Sequence, residues 1–415
     1  MKASVITLGC KVNEYESQSI LNQLKSNGYE ISEGLVYADV YVVNTCAVTN
    51  IAERKSRQVL SKIQKINKDA KIIVCGCASQ NNPAKFLQNP NVFSVTGNAK
   101  KNEIMELINE RNTALPKIED KIYTNTARPI ETRTRQFIKI QDGCDYFCTY
   151  CLIPYVRGRS RSRDIDDILD EIKHTTSNEI VLTGINMTDY KIDGKLALKY
   201  LIKEVDKLNK RFRLSSIECM ALDDEMIEIL KNCKNFCPHL HISLQSACNE
   251  TLRRMNRHYT IEQFMEKINK LRQQFPNICL STDIIVGFKG ETDEEFETTY
   301  NNLKKIKFSF MHIFPYSVRE GTVASRLKGD VDKQVVKQRE QKLIELNKKF
   351  KEEFYNNNKN TIHKVLIEEV VDERFSLGYT DNYIYTKIDE PLKIGEIYNI
   401  ELVDTYNNGM IGVRR

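Results

Sequence analysis

The stretch Gln136 to Arg163, QFIKIQDGCDYFCTYCLIPYVRGRSRSR, decides how the rest of the chain is read. Its apolar residues Phe137, Ile138 and Ile140 predict a short strand. A loop loosened by Gly143 then carries Cys144, Cys148 and Cys151, spaced C-x3-C-x2-C. Three thiolates so close together can curl around one face of an iron–sulfur cube, and a 4Fe–4S cube usually takes four cysteines. The missing fourth leaves one iron open to an outside ligand, as a catalytic metal centre requires. Zinc would want a fourth Cys or His at its own spacing, and none stands nearby.

The same cysteines, with the aromatic Tyr150 just before the last of them, resemble the radical SAM pattern. That resemblance implies that S-adenosylmethionine (SAM) fills the open position through its amino and carboxylate groups. One electron then breaks its S–C bond to give a 5′-deoxyadenosyl radical.

A chain of 415 residues has room for two or three domains, and 41% hydrophobic residues is ordinary for a globular protein. No segment approaches eighteen uncharged apolar residues and the N-terminus begins with a strand, so no membrane partner and a cytoplasmic location are expected. In that reducing compartment the twelve cysteines read as metal ligands and buried thiols rather than disulfides. A net charge of +6 permits nucleic acid as a partner without demanding it.

Ahead of the decisive stretch, strand-like runs at Val5 to Leu8, Val40 to Val43 and Lys71 to Val74 alternate with helical patterns from Asn13 to Gly28 and around 51 to 66. This alternation predicts an open parallel sheet with helices on both faces. Ligands in such sheets bind outside the carboxyl ends of the strands, and each of these strands ends in cysteine: Cys10, Cys46, and either Cys75 or Cys77. Cys77 lies past a glycine, where the chain leaves the strand, while Cys75 reads as packed within it. A second three-cysteine site is therefore expected.

The neighbouring segments TLGCKVNEYESQ, NTCAVT and GCASQ resemble the N-terminal domain of the methylthiotransferases, radical SAM enzymes that carry a second 4Fe–4S cluster. The resemblance runs across nearly the whole chain and implies Cys10, Cys46 and Cys77 as the auxiliary ligands. TLGCKVNEYES and VRGRSRSR look most like the MtaB branch, which acts on N6-threonylcarbamoyladenosine in tRNA. The branches acting on isopentenyladenosine in tRNA (MiaB) and on a ribosomal-protein aspartate (RimO) tend to differ at these two places.

The expected organisation is an α/β chain: an N-terminal open parallel-sheet domain over 1–112 with the auxiliary cluster, a polar linker over 113–135 containing Pro116 and Pro129, and a radical SAM partial (β/α)6 barrel over 136–330. A connecting helix over 331–357 and a small all-β TRAM-like barrel over 358–415 follow. Later barrel strands are expected at Glu179 to Leu182, Arg213 to Ile217, His239 to Leu244, Ile278 to Val286 and Phe308 to Phe314. Chemistry in such barrels sits at the carboxyl ends of the strands. SAM contacts are therefore expected from Tyr150, from Gly184, where backbone could approach a ligand, and Asn186 after the second strand. Further contacts are expected from Ser216 and Glu218 after the third strand, and from Ser243 and Gln245 after the fourth. Asp283 reads equally as a charge paired inside the barrel. The chain has QSA at 245–247 and FKGET at 288–292 where the family usually has QSG and FPGET; neither touches an expected metal ligand.

Between Arg128 and Arg163 eight Lys or Arg stand against three Asp or Glu. Arg157, Arg159, Arg161 and Arg163 alternate with Gly and Ser, so an extended segment would aim them together at a phosphate backbone. Residues 360–415 carry six Lys or Arg against ten Asp or Glu. Counterion release cannot then dominate there, and the domain would meet RNA through Tyr379, Tyr383 and Tyr385 or cap the barrel.

The resemblance implies a transferase that places a methylthio group on C2 of N6-threonylcarbamoyladenosine at tRNA position 37. It implies two 4Fe–4S clusters and SAM, with the tRNA anticodon stem-loop, an external electron donor and a sulfur source as partners. The rival readings are a MiaB-like or RimO-like substrate, or a non-catalytic iron–sulfur RNA-binding protein.

Overall fold

The computed structural model describes residues 1–113, 115, 118, 123 and 127–415. Part of the expected linker, Pro116 included, lies outside the described residues. The N-terminal body comprises β1 (Lys2–Thr7), α1 (Lys11–Ser26), β2 (Glu30–Glu33), β3 (Val40–Thr45), α2 (Asn50–Ile66), β4 (Lys71–Gly76), α3 (Cys77–Asn81), α4 (Ala84–Leu87), β5 (Val92–Val95) and α5 (Ile104–Asn109). Its five strands pair in parallel in the order β2-β1-β3-β4-β5. The central strands are nearly continuous in Val and Ile because helices cover both faces. Ile20, Leu21, Leu24 and Leu107 of α1 and α5 pack on Val5, Val40, Val42 and Ile73. Val59, Leu60 and Ile63 of α2 pack on Tyr41, Val43, Ile72 and Val74 opposite. The edge strands β2 and β5 had no sequence signal of their own: each is four residues long, and Glu30–Glu33 is half charged.

The central body runs through β6 (Arg135–Lys139), β7 (Gln141–Asp142), α6 (Ile153–Arg157), β8 (Arg161–Ser162), α7 (Ile165–His174) and β9 (Glu179–Thr183). A small hairpin, β10 (Lys191–Ile192) and β11 (Lys195–Leu196), precedes α8 (Leu198–Asp206), β12 (Arg211–Leu214), β13 (Ser216–Ile217), α9 (Asp224–Asn232) and β14 (His239–Ile242). Then come α10 (Asn249–Arg254), α11 (Ile261–Gln274), β15 (Cys279–Val286), α12 (Asp293–Ile306), β16 (Phe310–Pro315) and α13 (Lys333–Asn357). The parallel orders β12-β9-β6 and β13-β14-β15-β16 are two parts of one curved sheet, because β12 and β13 are a single run broken at Ser215. Side chains alternate along these strands. Leu240, Ile242, Leu280, Ile284 and Met311 pack outward among the helices. His239, His241, Ser281, Asp283, Phe310, His312 and Phe314 meet one another on the concave side instead.

The C-terminal body is a closed barrel of β17 (Ile362–Val371), β18 (Phe375–Thr380), β19 (Tyr385–Ile388), β20 (Ile397–Tyr406) and β21 (Gly409–Arg414). It docks on the amino ends of the central strands. Arg211 donates to the carbonyl of Lys364 at 2.7 Å, and Arg213 to those of Thr380 and Asp381 at 2.6 and 2.7 Å. Glu179 ion-pairs with both guanidiniums. Tyr383 stacks on His239 with ring centroids 4.3 Å apart, and Arg135 lies over Tyr379 at 4.8 Å. These two tyrosines cap the barrel floor, which favours the capping role for this body. No helix among the described residues is long and apolar enough to cross a membrane.

Candidate active site

Cys144, Cys148 and Cys151 lie on the loop after β6, at the carboxyl end of the barrel. The sulfurs accept four N–H bonds: Tyr146 N and Asn186 Nδ2 to Cys144 Sγ at 3.5 and 3.9 Å, Ile153 N to Cys151 Sγ at 3.4 Å, and Arg257 Nη1 to Cys148 Sγ at 3.4 Å. Burial pushes the bare Cys144 and Cys151 thiols up to about 12. A positive metal held among them would instead keep them as thiolates, and N–H donors to sulfur are what tune such clusters.

Cys10, Cys46 and Cys77 come together at the carboxyl ends of β1, β3 and β4. Burial pushes Cys46 up to about 11, with Cys77 and Cys10 near enough to add to the rise. Gly9, at φ +109°, brings the chain so close that a Cβ would stand 2.9 Å from Cys46 Sγ. Cys75 is buried in the face shared with α1 and α5, while Cys77 turns past Gly76 toward the other two.

Arg157 ties this second set to the barrel. It is fully buried, and its Nε donates to Cys77 Sγ at 3.3 Å. Its other nitrogens donate to Glu16 (2.8 and 3.0 Å), Asp142 (3.0 Å) and Asn13 Oδ1 (2.6 Å). Lys139 bridges the same two carboxylates at 2.7 Å each, and Lys101 pairs with Glu16. Burial alone would raise the Glu16 carboxyl, but Arg157, Lys101 and Lys139 hold it well below the usual carboxylate range. Cations outnumber carboxylates in this clasp, and the surplus is aimed at sulfur. Asn98 Nδ2 gives Cys77 a second donor at 3.5 Å. The donor sets at both sites fit anionic iron–sulfur clusters.

A cavity of about 230 Å³ joins the two regions. Tyr150 lines it from beside Cys151, Val48 and Thr49 from just past Cys46, and Gln245, Asp283, Ile285 and Phe314 from the barrel strand ends. Gln245 reaches it from a left-handed backbone, φ +70°. Tyr150 packs edge-on to Phe288.

The expected SAM contacts distribute unevenly. Asn186 is buried with its amide 3.9 Å from Cys144 Sγ, and its backbone N–H donates to Gln141 Oε1 at 2.8 Å. Glu218 ion-pairs with Arg257, and burial raises its carboxyl. The Ser243 carbonyl accepts from the same Arg257 at 2.7 Å, while Ser216 is exposed. Gly184 packs under the Gln141 side chain, which stands 3.1 Å from where a Cβ would be, so the position leaves little room for a larger residue.

The extended geometry expected of the arginine stripe is a correction. Arg157 ends α6, and Gly158 at φ +75° turns the chain, so the segment is not extended. Arg163 is buried against Glu171, Asp167 and the Tyr15 hydroxyl. Arg161 folds back to donate to the carbonyls of Arg157 and Arg159 at 2.9 Å. Arg159, over the Phe147 ring, is the most exposed of the four. Arg257 and Gln141 had no single-residue signal, since their partners are remote in sequence. The departures from family wording are absorbed: Lys289 pairs with Asp330, and Ala247 is buried.

Residues 138–303 match the Radical SAM superfamily, and residues 2–97 match an uncharacterized protein family, UPF0004. A radical SAM methyltransferase, TsrM from Kitasatospora setae, superposes with a TM-score of 0.57 at 13% identity, covering 75% of this chain and 73% of that one, a likeness of fold. The barrel is that of a radical SAM enzyme, with the 4Fe–4S cluster and SAM that this class carries. The threonylcarbamoyladenosine tRNA methylthiotransferase MtaB of Bacillus subtilis (strain 168) is 39% identical over 97% of this chain and 94% of its own. The MtaB of Thermotoga maritima is 37% identical over 98% and 96%. A tRNA-2-methylthio-N(6)-dimethylallyladenosine synthase of Thermodesulfovibrio yellowstonii is 34% identical over 98% and 97%. The chain belongs to the MtaB family of radical SAM methylthiotransferases.

Proposed function

We propose that this enzyme transfers a methylthio group to C2 of N6-threonylcarbamoyladenosine at position 37 of tRNA, next to the anticodon. In this reading Cys144, Cys148 and Cys151 hold the cluster that binds SAM, and Cys10, Cys46 and Cys77 hold a second 4Fe–4S cluster. The observation that carries it is the cavity itself. Tyr150, next to Cys151, and Val48 and Thr49, just past Cys46, line one space, so a single base there would lie beside both cysteine-bearing loops. Relatives of near-equal length that bear the name of this activity support the substrate.

When bound, the clusters and SAM supply the radical that removes the C2 hydrogen and the sulfur and methyl group that replace it, the electron and the sulfur coming from outside the chain. The chain's own residues position and enclose. Tyr150, Ile285 and Phe314 offer apolar walls for a purine, and Val48 closes the side toward the N-terminal body. Arg257 links Cys148 to Glu218, so the loop and the strand end that flank the SAM position are fixed to each other. Tyr150, Gly184, Asn186, Ser216, Glu218, Ser243 and Gln245 are the SAM contacts proposed. Arg157 holds Cys77 against the barrel while satisfying Glu16 and Asp142.

The test is mass spectrometry of tRNA nucleosides from a strain lacking this gene, with and without its restoration. The expected result is that 2-methylthio-N6-threonylcarbamoyladenosine disappears and returns. A change confined to the isopentenyl derivative would overturn the substrate but keep the reaction. No change in any tRNA nucleoside would overturn both.

A further inference from the structure

Helix α2 begins at the rim of the cavity. Val48 and Thr49 line that cavity, and the Thr49 hydroxyl caps the first turn of α2 by accepting the N–H of Ala52 at 3.1 Å. The segment after β16 is tied to the same turn. Asn50 N donates to Ser317 Oγ at 3.1 Å, its amide donates to the Val318 carbonyl at 3.0 Å, and Arg319 pairs with Glu53 at 2.6 Å. The direction in which α2 leaves the rim is therefore fixed against both the sheet and the barrel. Val48 and Ile51, 59% and 56% exposed, are apolar surface at this end of the helix.

The inner face of α2, with Val59, Leu60 and Ile63, is buried on the sheet. Its outer face is basic along its length. Arg54, Lys55, Arg57, Lys62 and Lys65 are all exposed, while the one carboxylate of the helix, Glu53, is buried and paired with Lys85 and Arg319. Among the described residues none of these five side chains has a hydrogen bond, ion pair or ring contact. At 3.6 residues per turn, Arg54, Lys55, Lys62 and Lys65 fall with Ile51 in one stripe about 100° wide and about 21 Å long. Arg54 with Arg57, and Lys62 with Lys65, are three positions apart, so like charges repel along the helix with no carboxylate between them. A polyanion laid on this face would remove that repulsion. The other regions read as RNA contacts carry less free positive charge: Arg157, Arg161 and Arg163 are largely buried, leaving Arg159, and residues 360–415 are net negative.

Resting on the tRNA substrate proposed above, we infer that the outer face of α2 is the docking track for the RNA backbone. A base held in the cavity puts its own phosphate within one nucleotide of the rim, where the basic stripe starts. The loop phosphates next to that base lie over Arg54 and Lys55, and those of the stem lie farther along, over Lys62 and Lys65. Val48 and Ile51 meet the neighbouring unpaired bases, whose flat faces pack on apolar surface. Contacts of this kind fix the position and register of the RNA and read no sequence. The choice of base is left to the cavity, and the hold on the stem to the helix.

The experiment uses the cluster-loaded full chain and two RNAs with the same modified base, an anticodon stem-loop and the loop alone. Affinities are read by fluorescence anisotropy from about 50 to about 200 mM salt, the range over which phosphate contacts show themselves. Lys62→Gln combined with Lys65→Gln should weaken the stem-loop about tenfold or more at the low end and reduce its salt slope by about two. The same variant should bind the loop RNA within about twofold of wild type, because its lysines lie beyond the loop's phosphates. Arg54→Gln combined with Lys55→Gln should weaken both RNAs, and Arg54→Lys should keep the wild-type slope, since a phosphate contact responds to charge. Iron content and urea midpoint should match wild type throughout, as the replaced side chains have no partner in the protein. The inference is overturned if the double lysine variant keeps the stem-loop affinity and slope of wild type, or if it weakens both RNAs alike. In the first case, turnover that falls with an acidic protein electron donor but not with dithionite would assign the face to that donor instead. Wild type that binds neither RNA would overturn the tRNA reading itself, a result visible before any variant is made.

Discussion

The two three-cysteine sites differ in how the chain builds them. Cys144, Cys148 and Cys151 share one loop, and two of their four N–H donors come from that loop's own backbone. Cys10, Cys46 and Cys77 are gathered from three strand ends, and Cys77 takes its nearest donor from Arg157, which belongs to the other body of the protein. The first site is a property of a short peptide segment. The second exists only when the sheet is formed and docked.

The strongest way to break that contrast is Arg157→Ala. It removes the guanidinium from between two buried carboxylates, and losing one partner of a buried ionic cluster costs about 3–5 kcal/mol. A fall in the denaturant midpoint should accompany loss of iron from the site of Cys10, Cys46 and Cys77, with the Cys144 site still loaded. Equal loss of iron at both sites would mean that they are not built differently.

A sharper and more local cut separates two neighbours. Cys77→Ala should lower iron from about eight to about four atoms per chain, the content of one cube. Cys75→Ala, a small change in a packed face, should keep the iron and cost about 1 kcal/mol. Iron lost on removing Cys75 instead would reassign the third ligand.

Smaller still is the acid response of the clasp. The folded Glu16 carboxyl is held below its unfolded value, so its stabilisation is fully present above that value and is lost as pH falls through the folded one. Urea midpoints of the metal-free chain should therefore stay level from neutral pH down to about 5 and drop below about 4, near the unfolded carboxylate value. Arg157→Ala should flatten that drop, and a variant curve parallel to wild type would remove the clasp from the explanation.

The smallest effect belongs to Arg159→Ala. As one half-exposed cation it should reduce the salt dependence of tRNA binding by about one phosphate contact, with no change in midpoint. A steeper effect would restore the arginine segment as a principal RNA surface.

What was legible in the sequence follows the same division. The C-x3-C-x2-C loop can be read at sight because its ligands and its turn are adjacent. The second set can be read only through the alternation of strands and helices that brings Cys10, Cys46 and Cys77 to one edge. The geometry of the arginines was misread because alternation with Gly and Ser says nothing about partners far away: Glu16 meets Arg157 across 141 positions. Arg257 was hidden in the same way, its partner Glu218 lying 39 positions away, and so was the packing of Gly184 under Gln141. The strands β2 and β5 escaped because four-residue edges borrow their order from the strand beside them.

The stacked ring of Tyr383 gives the small C-terminal barrel a part to play that its net negative charge would not suggest. It sits under His239 and Phe310 like a stopper in the narrow end of a funnel, while Arg213 anchors the loop that carries it. Without it, water would have a second way in from beneath the substrate, to a chamber where an organic radical must meet one chosen C–H bond and nothing else. On this view the last 58 residues serve less as a hand that grips RNA than as the base of the reaction vessel.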